Sequence, residues 1–557
     1  MYKIILQLPH LHKYKHYLAL VGAIALGTLF RLWNLDLKPL WMDEVITAIF
    51  SLGKNYHDLP LDILFPLQNV REIFTYQTGV NCHQIAANLT NQSTHPPLFF
   101  CGMYKWLGWM LPLGSEWVAK LRSLPVLFGV GSIAAIYGVN RLAFNQTSGI
   151  IAALIMAISP FAVYLSQEAR HYTMPMFLIT LALWGLMQMQ QDILDKQRLR
   201  FAVVILWSFV NIIGLYVHYF FILALIAEII TLFLLIYRCN ILNKPQTYLT
   251  LIIAIIGISI SFLPWLPIML NHFHSAETNW LPATMHIAPV YQTVISWILM
   301  VIALPVENQP LVITVVCGFL MVSFAIWLGW QVWKGVKLLW LDEKTHLPTL
   351  TLCSFTVLVL MQFFAIAYLL GKDITIIPRY TFVYYPSFCA LLAATISKNL
   401  PSKLLVFFVG VLSCVFVGAN LIFQKPFQPE RTAKNMNLEP AIPVMLVVGY
   451  NNYQDVALGL SFALALEKER NHTSSLHNFD SFAFLERSVN SPHFWDNLQQ
   501  MPIPASQMNL WIVGPGMRRR DYPQEVDLSG DRICIIDTSH HYRIGIPYQL
   551  YRCDMRG

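Results

Sequence analysis

Apolar stretches close to twenty residues long recur from Leu18 to Phe423, separated by short polar loops. They lie at about 16–33, 96–112, 120–142, 147–165, 172–190, 201–217, 219–237, 248–270, 290–304, 311–333, 349–370, 380–396 and 402–422. A helix needs about twenty apolar residues to cross roughly 30 Å of hydrocarbon. The pattern therefore predicts an all-α polytopic membrane protein with about 11–13 membrane segments. Composition agrees: the chain is 56% hydrophobic and 12% charged, against about 25% charged in soluble domains. The net charge of +7 is no nucleic-acid signal. Its Lys and Arg sit in short loops between apolar runs, as expected on the cytoplasmic side of a membrane. The bilayer is the expected partner, and nucleic acid is not.

The basic loops fix a topology. Lys3/Lys13/Lys15, Lys196/Arg198/Arg200, Arg238/Lys244, Lys334/Lys337/Lys344 and Lys398/Lys403 mark the cytoplasm. Three apolar segments separate Lys244 from Lys334, where an even number is required, so 290–304, the shortest, reads as interfacial or re-entrant. The stretch 96–165 likewise holds three segments where two crossings are needed. About eleven crossings satisfy every basic loop, with a cytoplasmic N-terminus and an external C-terminus in the plasma (inner) membrane. The first run follows Lys13 and Lys15 like a signal peptide. It ends in Phe30-Arg31-Leu32-Trp33 without a small-residue cleavage site, so it reads as an uncleaved span.

Two domains are expected, a membrane domain over 1–423 and a tail over 424–557. Residues 34–94 form a first external loop with amphipathic pieces at Glu44–Leu52 and Asp62–Phe74. In the tail, Val444-Met-Leu-Val-Val and Leu510-Trp-Ile-Val read as strands before glycine-containing turns. Val456–Lys468 has helical spacing, so the tail reads as a small extracytoplasmic α/β domain. The nine cysteines include no C-x-x-C pair, and most lie in apolar runs as small hydrophobes. Cys534 and Cys553 in the tail could be a disulfide or a pair of thiols.

Charge at a membrane boundary is costly unless it faces water or does work. One cluster is Arg31-Leu-Trp-Asn-Leu-Asp36 to Pro39-Leu-Trp41-Met-Asp43-Glu44, where a plain helix start with Asp43 as cap is the bland alternative. A second is Thr94-His95-Pro96-Pro97, with prolines ordinary at a helix start and a less ordinary His95, either a cation for phosphate or a snorkelling ring. A third, Gln167-Glu168-Ala-Arg170-His171-Tyr172, packs acid, base, imidazole and phenol between apolar segments. A local Glu168–Arg170 pair would be its bland reading. Tyr216-Val-His218-Tyr219 interrupts an apolar run, and Pro378-Arg379-Tyr380 opens a late span. On the expected topology all these charges share the external face. A carboxylate there can take a proton from an acceptor hydroxyl, and cations can neutralise a phosphate leaving group.

The order Arg31…Trp41-Met-Asp43-Glu44, His95-Pro96-Pro97-Leu98, Arg122-Ser-Leu-Pro125, Gln167-Glu168-Ala-Arg170-His-Tyr172 and Tyr216-Val-His218-Tyr219 resembles glycosyltransferase family 39. That family, with the GT-C fold, holds protein O-mannosyltransferases and lipid A aminoarabinose transferases. The likeness is good over about 16–240 and loose beyond. It implies transfer, with inversion, of a sugar from a polyprenyl-phosphate donor to a hydroxyl acceptor on the extracytoplasmic face. The acceptor is a glycan, a lipid or a protein. The resemblance puts the catalytic base on Asp43 with Glu44 beside it, and a second acid on Glu168. His95 falls on a phosphate-contacting position, with Arg170 and Arg379 as further donor-phosphate contacts. Tyr172, His218 and Tyr219 are the expected acceptor or sugar contacts. The inserted β-trefoil of the protein O-mannosyltransferases has no counterpart here, since the 272–289 loop is too short.

A transporter or flippase of polyprenyl-linked sugars is the alternative, and many spans with membrane-edge charges would suit it. Transporters tend to carry internal repeats and a midplane site, and this sequence has no convincing repeat. No obligatory cofactor is expected, although Glu44, Glu168 and His95 could gather around a divalent ion.

Overall fold

The computed structural model describes residues 9–239, 245–275, 286–473, 479–487, 493–502, 505, 507–529 and 532–555. Lys3 and Lys244, invoked for topology, lie outside them. The chain divides into two compact units: one of residues up to Leu35, Ser93–Phe99 and Arg122–Phe423, and one of Asp36–Gln92, Phe100–Leu121 and the chain from Gln424.

The first unit is helical. Trp117–Ala143 (which begins in the second unit), Phe221–Arg238, Leu311–Leu341, Glu343–Leu370 and Leu400–Gly418 are long and apolar enough to cross a membrane. Two bent pairs bring the number to seven: Gln146–Ile158 with Pro160–Ser166 at 58°, and Gln246–Phe262 with Leu266–Phe273 at 67°. Other expected segments form shorter apolar helices among the described residues, namely Phe201–Leu215, Ala288–Val301 and Tyr385–Ile396, while proline bends two of the seven. Pro160 occupies the first position of its helix, capped by Ser159, and Pro264 separates the other pair. The expected short segment at 290–304 is Ala288–Val301, about 21 Å long at 1.5 Å per residue. The segment at 96–112 forms only Leu98–Trp109.

Helix Pro9–Leu32 packs on Gln146–Ile158 at close range. A Cβ on Gly27 would meet Ile133 Cδ1 at 2.3 Å and Ala157 Cβ at 3.0 Å, so a small residue is required there. Arg31, fully buried, closes the same interface. Having no N–H, Pro160 cannot serve the carbonyl of Met156. Arg31 Nη2 donates to that oxygen at 2.8 Å, and Nη1 donates to Ala157 O at 3.0 Å and Gly27 O at 2.9 Å.

The second unit is built on a seven-stranded sheet. Its strands are β1 (Leu64–Pro66), β2 (Val444–Tyr450), β3 (Ser481–Glu486), β4 (Met508–Val513), β5 (Glu525–Leu528), β6 (Arg532–Ile544) and β7 (Ile546–Met555), in the order β1-β3-β2-β4-β7-β6-β5. The two expected strands are β2 and β4, paired in parallel and buried along their length, as strands covered on both faces are. The expected helix runs over Tyr453–Thr473. The piece Asp62–Phe74, expected to be amphipathic helix, is a short strand followed by a 3₁₀ stretch, Leu67–Phe74. The strand pairs antiparallel with β3, so the segment Asp36–Gln92 falls in one unit with the tail, although the sequence grouped it with the membrane domain. Two disulfides lie in this unit. Cys534–Cys553 joins β6 to β7, and Cys82–Cys101, unforeseen from the sequence, joins helix Cys82–Gln92 to Leu98–Trp109.

Candidate active site

Within the helical unit, four connecting segments carry the polar residues singled out by the sequence. Pro160–Ser166 ends at Gln167, and Gln167 Nε2 donates to Phe30 O and Trp33 O, both at 3.0 Å. This ties the turn Glu168–Tyr172 to the end of the first helix. The second turn joins Phe201–Leu215 to Phe221–Arg238. The break that His218 made in an apolar run is therefore a real turn, and His218 Nδ1 accepts the Phe220 N–H at 3.0 Å. The Leu98 N–H bonds Tyr216 O at 3.1 Å, fastening the His95-Pro96-Pro97 loop to that turn. The fourth segment is the short helix Pro378–Val383.

These turns converge. Arg170 Nη2 stands 3.3 Å from His95 Nε2, and Ser93 Oγ 3.0 Å from His95 Nδ1. The His95 and His171 rings are 4.9 Å apart, and those of His171 and His218 4.7 Å. Arg170 and Arg379 both address the Tyr172 ring, their Cζ atoms at 5.6 and 5.8 Å from its centroid. Glu168 is buried and hydrogen-bonds the Tyr164 hydroxyl, while the Arg170 N–H bonds Glu168 O at 2.7 Å.

Burial, then the charge of Arg170, pushes the His95 imidazole well below its usual pKa. Of the two sequence options, a resident cation is therefore disfavoured. His95 sits in the connecting loop as a neutral ring whose Nε2 accepts from Arg170 and whose Nδ1–H faces Ser93 Oγ. His171 and His218 are lowered too, chiefly by burial.

A cavity of about 430 Å³ opens at this cluster, in the range of small-molecule sites. Its lining includes Thr94, His95, Tyr172, His218, Tyr219 and Tyr380 together with the apolar Leu223, Met269, Phe273 and Ile366. Two further lining residues, His272 and Lys372, were missed by sequence reasoning. Tyr219 Oη is 2.8 Å from His272 Nδ1 and accepts Trp265 Nε1–H at 3.0 Å. Lys372 Nζ donates to Phe273 O at 3.1 Å. His272, beside the Trp265-Leu-Pro break, repeated the signal of a ring at the end of an apolar run. Lys372 follows a span like any loop lysine and gave no signal.

Asp43 and Glu44 belong to the second unit. Helix Met42–Ser51 is capped by Trp41, without a side-chain cap bond. The bland expectation that Asp43 caps this helix is thereby corrected: Asp43 is the second helical residue. Asp43 is 9% exposed and Glu44 0%, and Glu44 Oε2 is 3.2 Å from the buried Lys425 Nζ. Lys425 was also missed, being one basic residue in an unremarked linker. No three His, Cys, Asp or Glu among the described residues gather as a metal ion would require.

Residues 94–265 match the family model described as dolichyl-phosphate-mannose-protein mannosyltransferase. No protein of curated function matches the chain in sequence. Among solved structures, ArnT from Cupriavidus metallidurans in the apo state is similar, with TM-score 0.53, 11% identity, and 96% of this chain and 97% of that one covered. The same protein bound to undecaprenyl phosphate gives TM-score 0.52 and 10% identity over the same shares. The Archaeoglobus fulgidus oligosaccharyltransferase, crystallised with Zn and sulfate, matches at TM-score 0.45 and 14% identity, covering 81% of this chain. This chain spans only 61% of that one. The protein is an integral membrane protein with the GT-C fold of ArnT and a small C-terminal sheet domain, and over residues 94–265 it resembles glycosyltransferase family 39.

Proposed function

We propose that this protein is an inverting glycosyltransferase. It moves one hexosyl or pentosyl unit from a polyprenyl-phosphate donor to a hydroxyl of a glycan, lipid or protein on the extracytoplasmic face. The observation that carries this reading is the pair of guanidiniums, Arg170 and Arg379, held against Tyr172 with His95 beside Arg170, next to a cavity whose lining includes apolar side chains. Fixed cations suit the phosphate of a lipid of the kind seen in the Cupriavidus ArnT complex, and apolar side chains suit its prenyl chain.

In this reading the Asp43 carboxylate takes the proton of the acceptor hydroxyl. The oxygen attacks the anomeric carbon, and the bond from that carbon to the phosphate oxygen breaks. Polyprenyl phosphate leaves with the bonding electrons, and Arg170 and Arg379 stabilise the charge on it, with His95 beside Arg170. Glu168 orients a sugar or the acceptor, and Tyr172, His218 and Tyr219 contact the sugar. No metal is needed for this chemistry. A cytoplasmic N-terminus and an external tail are supported by the basic loops. They also fit two disulfides in the unit that holds the first loop and the tail, since disulfides persist in oxidising compartments.

The test is transfer in proteoliposomes with a panel of radiolabelled polyprenyl-phosphate hexoses and pentoses, followed by the anomeric configuration of the product. Donor consumption with inversion supports the reading. Retention of configuration, or no consumption of any donor, contradicts it.

A further inference from the structure

Two adjacent carboxylates, Asp43 and Glu44, stand at the start of helix Met42–Ser51. Glu44 is fully buried, and so, nearly, is Lys425. Their charged atoms are 3.2 Å apart, and Lys425 Nζ also lies 5.9 Å from the Trp41 ring centroid. Removing one member of such a pair strands a charge in a medium that cannot solvate it. Lys425 therefore grips the helix start at Trp41 and Glu44, the residues flanking Met42 and Asp43. The backbone is held there as well: Ser461 Oγ donates to Leu40 O at 2.7 Å, and Thr47 Oγ1 to Asp43 O at 3.0 Å.

We propose that Lys425 is a positioning residue that, through Glu44, fixes the helical turn carrying Asp43. This rests on the reading of Asp43 as base. Glu44, expected from sequence to be catalytic, becomes the anchor. Lys425 balances the charge of Glu44 at 3.2 Å. Displacement of a reacting group by about 1 Å can lower a rate by 10²-fold, so loosening this turn acts on turnover more than on donor binding.

The experiment compares full-length wild type, D43N, K425M, K425R and E44Q/K425M in proteoliposomes, with kcat expressed per folded enzyme and KM measured for the donor. K425M is expected to lower kcat by about 10–100-fold with donor KM within about 2-fold. K425R should recover most of the loss, and E44Q/K425M should exceed K425M because no charge is left stranded. A purely structural role would reduce the folded fraction and leave kcat per folded enzyme unchanged; that result in K425M overturns the inference. If K425M does not fold, the neutral double variant decides, and wild-type kcat in it overturns the inference. D43N separates the two claims: an active D43N removes the base reading, while an inactive D43N beside a fully active K425M removes only the role of Lys425.

Discussion

Arg31 Nη2 lies 2.8 Å from the carbonyl oxygen of Met156, the one carbonyl that Pro160, four residues on, cannot satisfy. The guanidinium thus repairs the bend between Gln146–Ile158 and Pro160–Ser166 and holds the helix that ends at the Glu168–Tyr172 turn. Replacing it removes the guanidinium donors of two buried carbonyls at the bend, those of Met156 and Ala157. R31M should cost about 3 kcal/mol or more, and R31K less than half recovers it because an ammonium has no fork. Thermal unfolding in detergent checks this, and an unchanged R31M midpoint contradicts it.

Tyr172 is the surface on which both guanidiniums rest, 5.6 and 5.8 Å from the ring. Y172F keeps the ring and should hold donor KM within about 3-fold. Y172L removes two cation–π contacts of about 0.5–2 kcal/mol each and should raise KM about 10-fold. Initial rates against donor concentration decide; equal KM values for the two variants would refute the arrangement.

His95, His171 and His218 lie in the turns and are lowered below their usual value, first by burial and then by neighbouring cations or imidazoles. They are neutral in the folded protein, whereas the unfolded chain binds protons near pH 6.5. Stability should therefore fall as pH drops below about 6.5, each ring contributing up to about 1.4 kcal/mol per pH unit. The melting midpoint of H95Q should depend less on pH between 7 and 5 than that of wild type. An identical slope would contradict the neutral ring.

The cysteines offer a count. Four are paired and five are free: Cys239, Cys317, Cys353, Cys389 and Cys414. Denatured, unreduced protein from cells should take up five maleimide labels, and nine after reduction. Nine labels before reduction would contradict both disulfides and the external placement of this unit.

Much of the site was legible because polar residues in apolar runs have few innocent reasons to be there. Glu168, Arg170, Tyr172 and His218 announced themselves in this way, and the structure gathers them in adjoining turns. The central strands β2 and β4 were equally visible as short apolar runs, because strands buried on both faces carry no polar alternation. Partners far apart in sequence stayed hidden. Cys82 meets Cys101 and Lys425 meets Glu44 only through the fold, and β1 is too short to show any pattern. The bends at Ser159-Pro160 and Pro264 were hidden as well, since a window of apolar residues does not register a missing N–H.

Transfer by wild type and by D43N, in proteoliposomes loaded with the labelled donor that wild type consumes, tests the central claim most directly. The account predicts that wild type passes label to an acceptor hydroxyl with release of polyprenyl phosphate, and that D43N loses about 10²–10⁴-fold in rate while still folding. Label that stays on the lipid and only changes leaflet, equally in both proteins, would contradict it and make the protein a transporter.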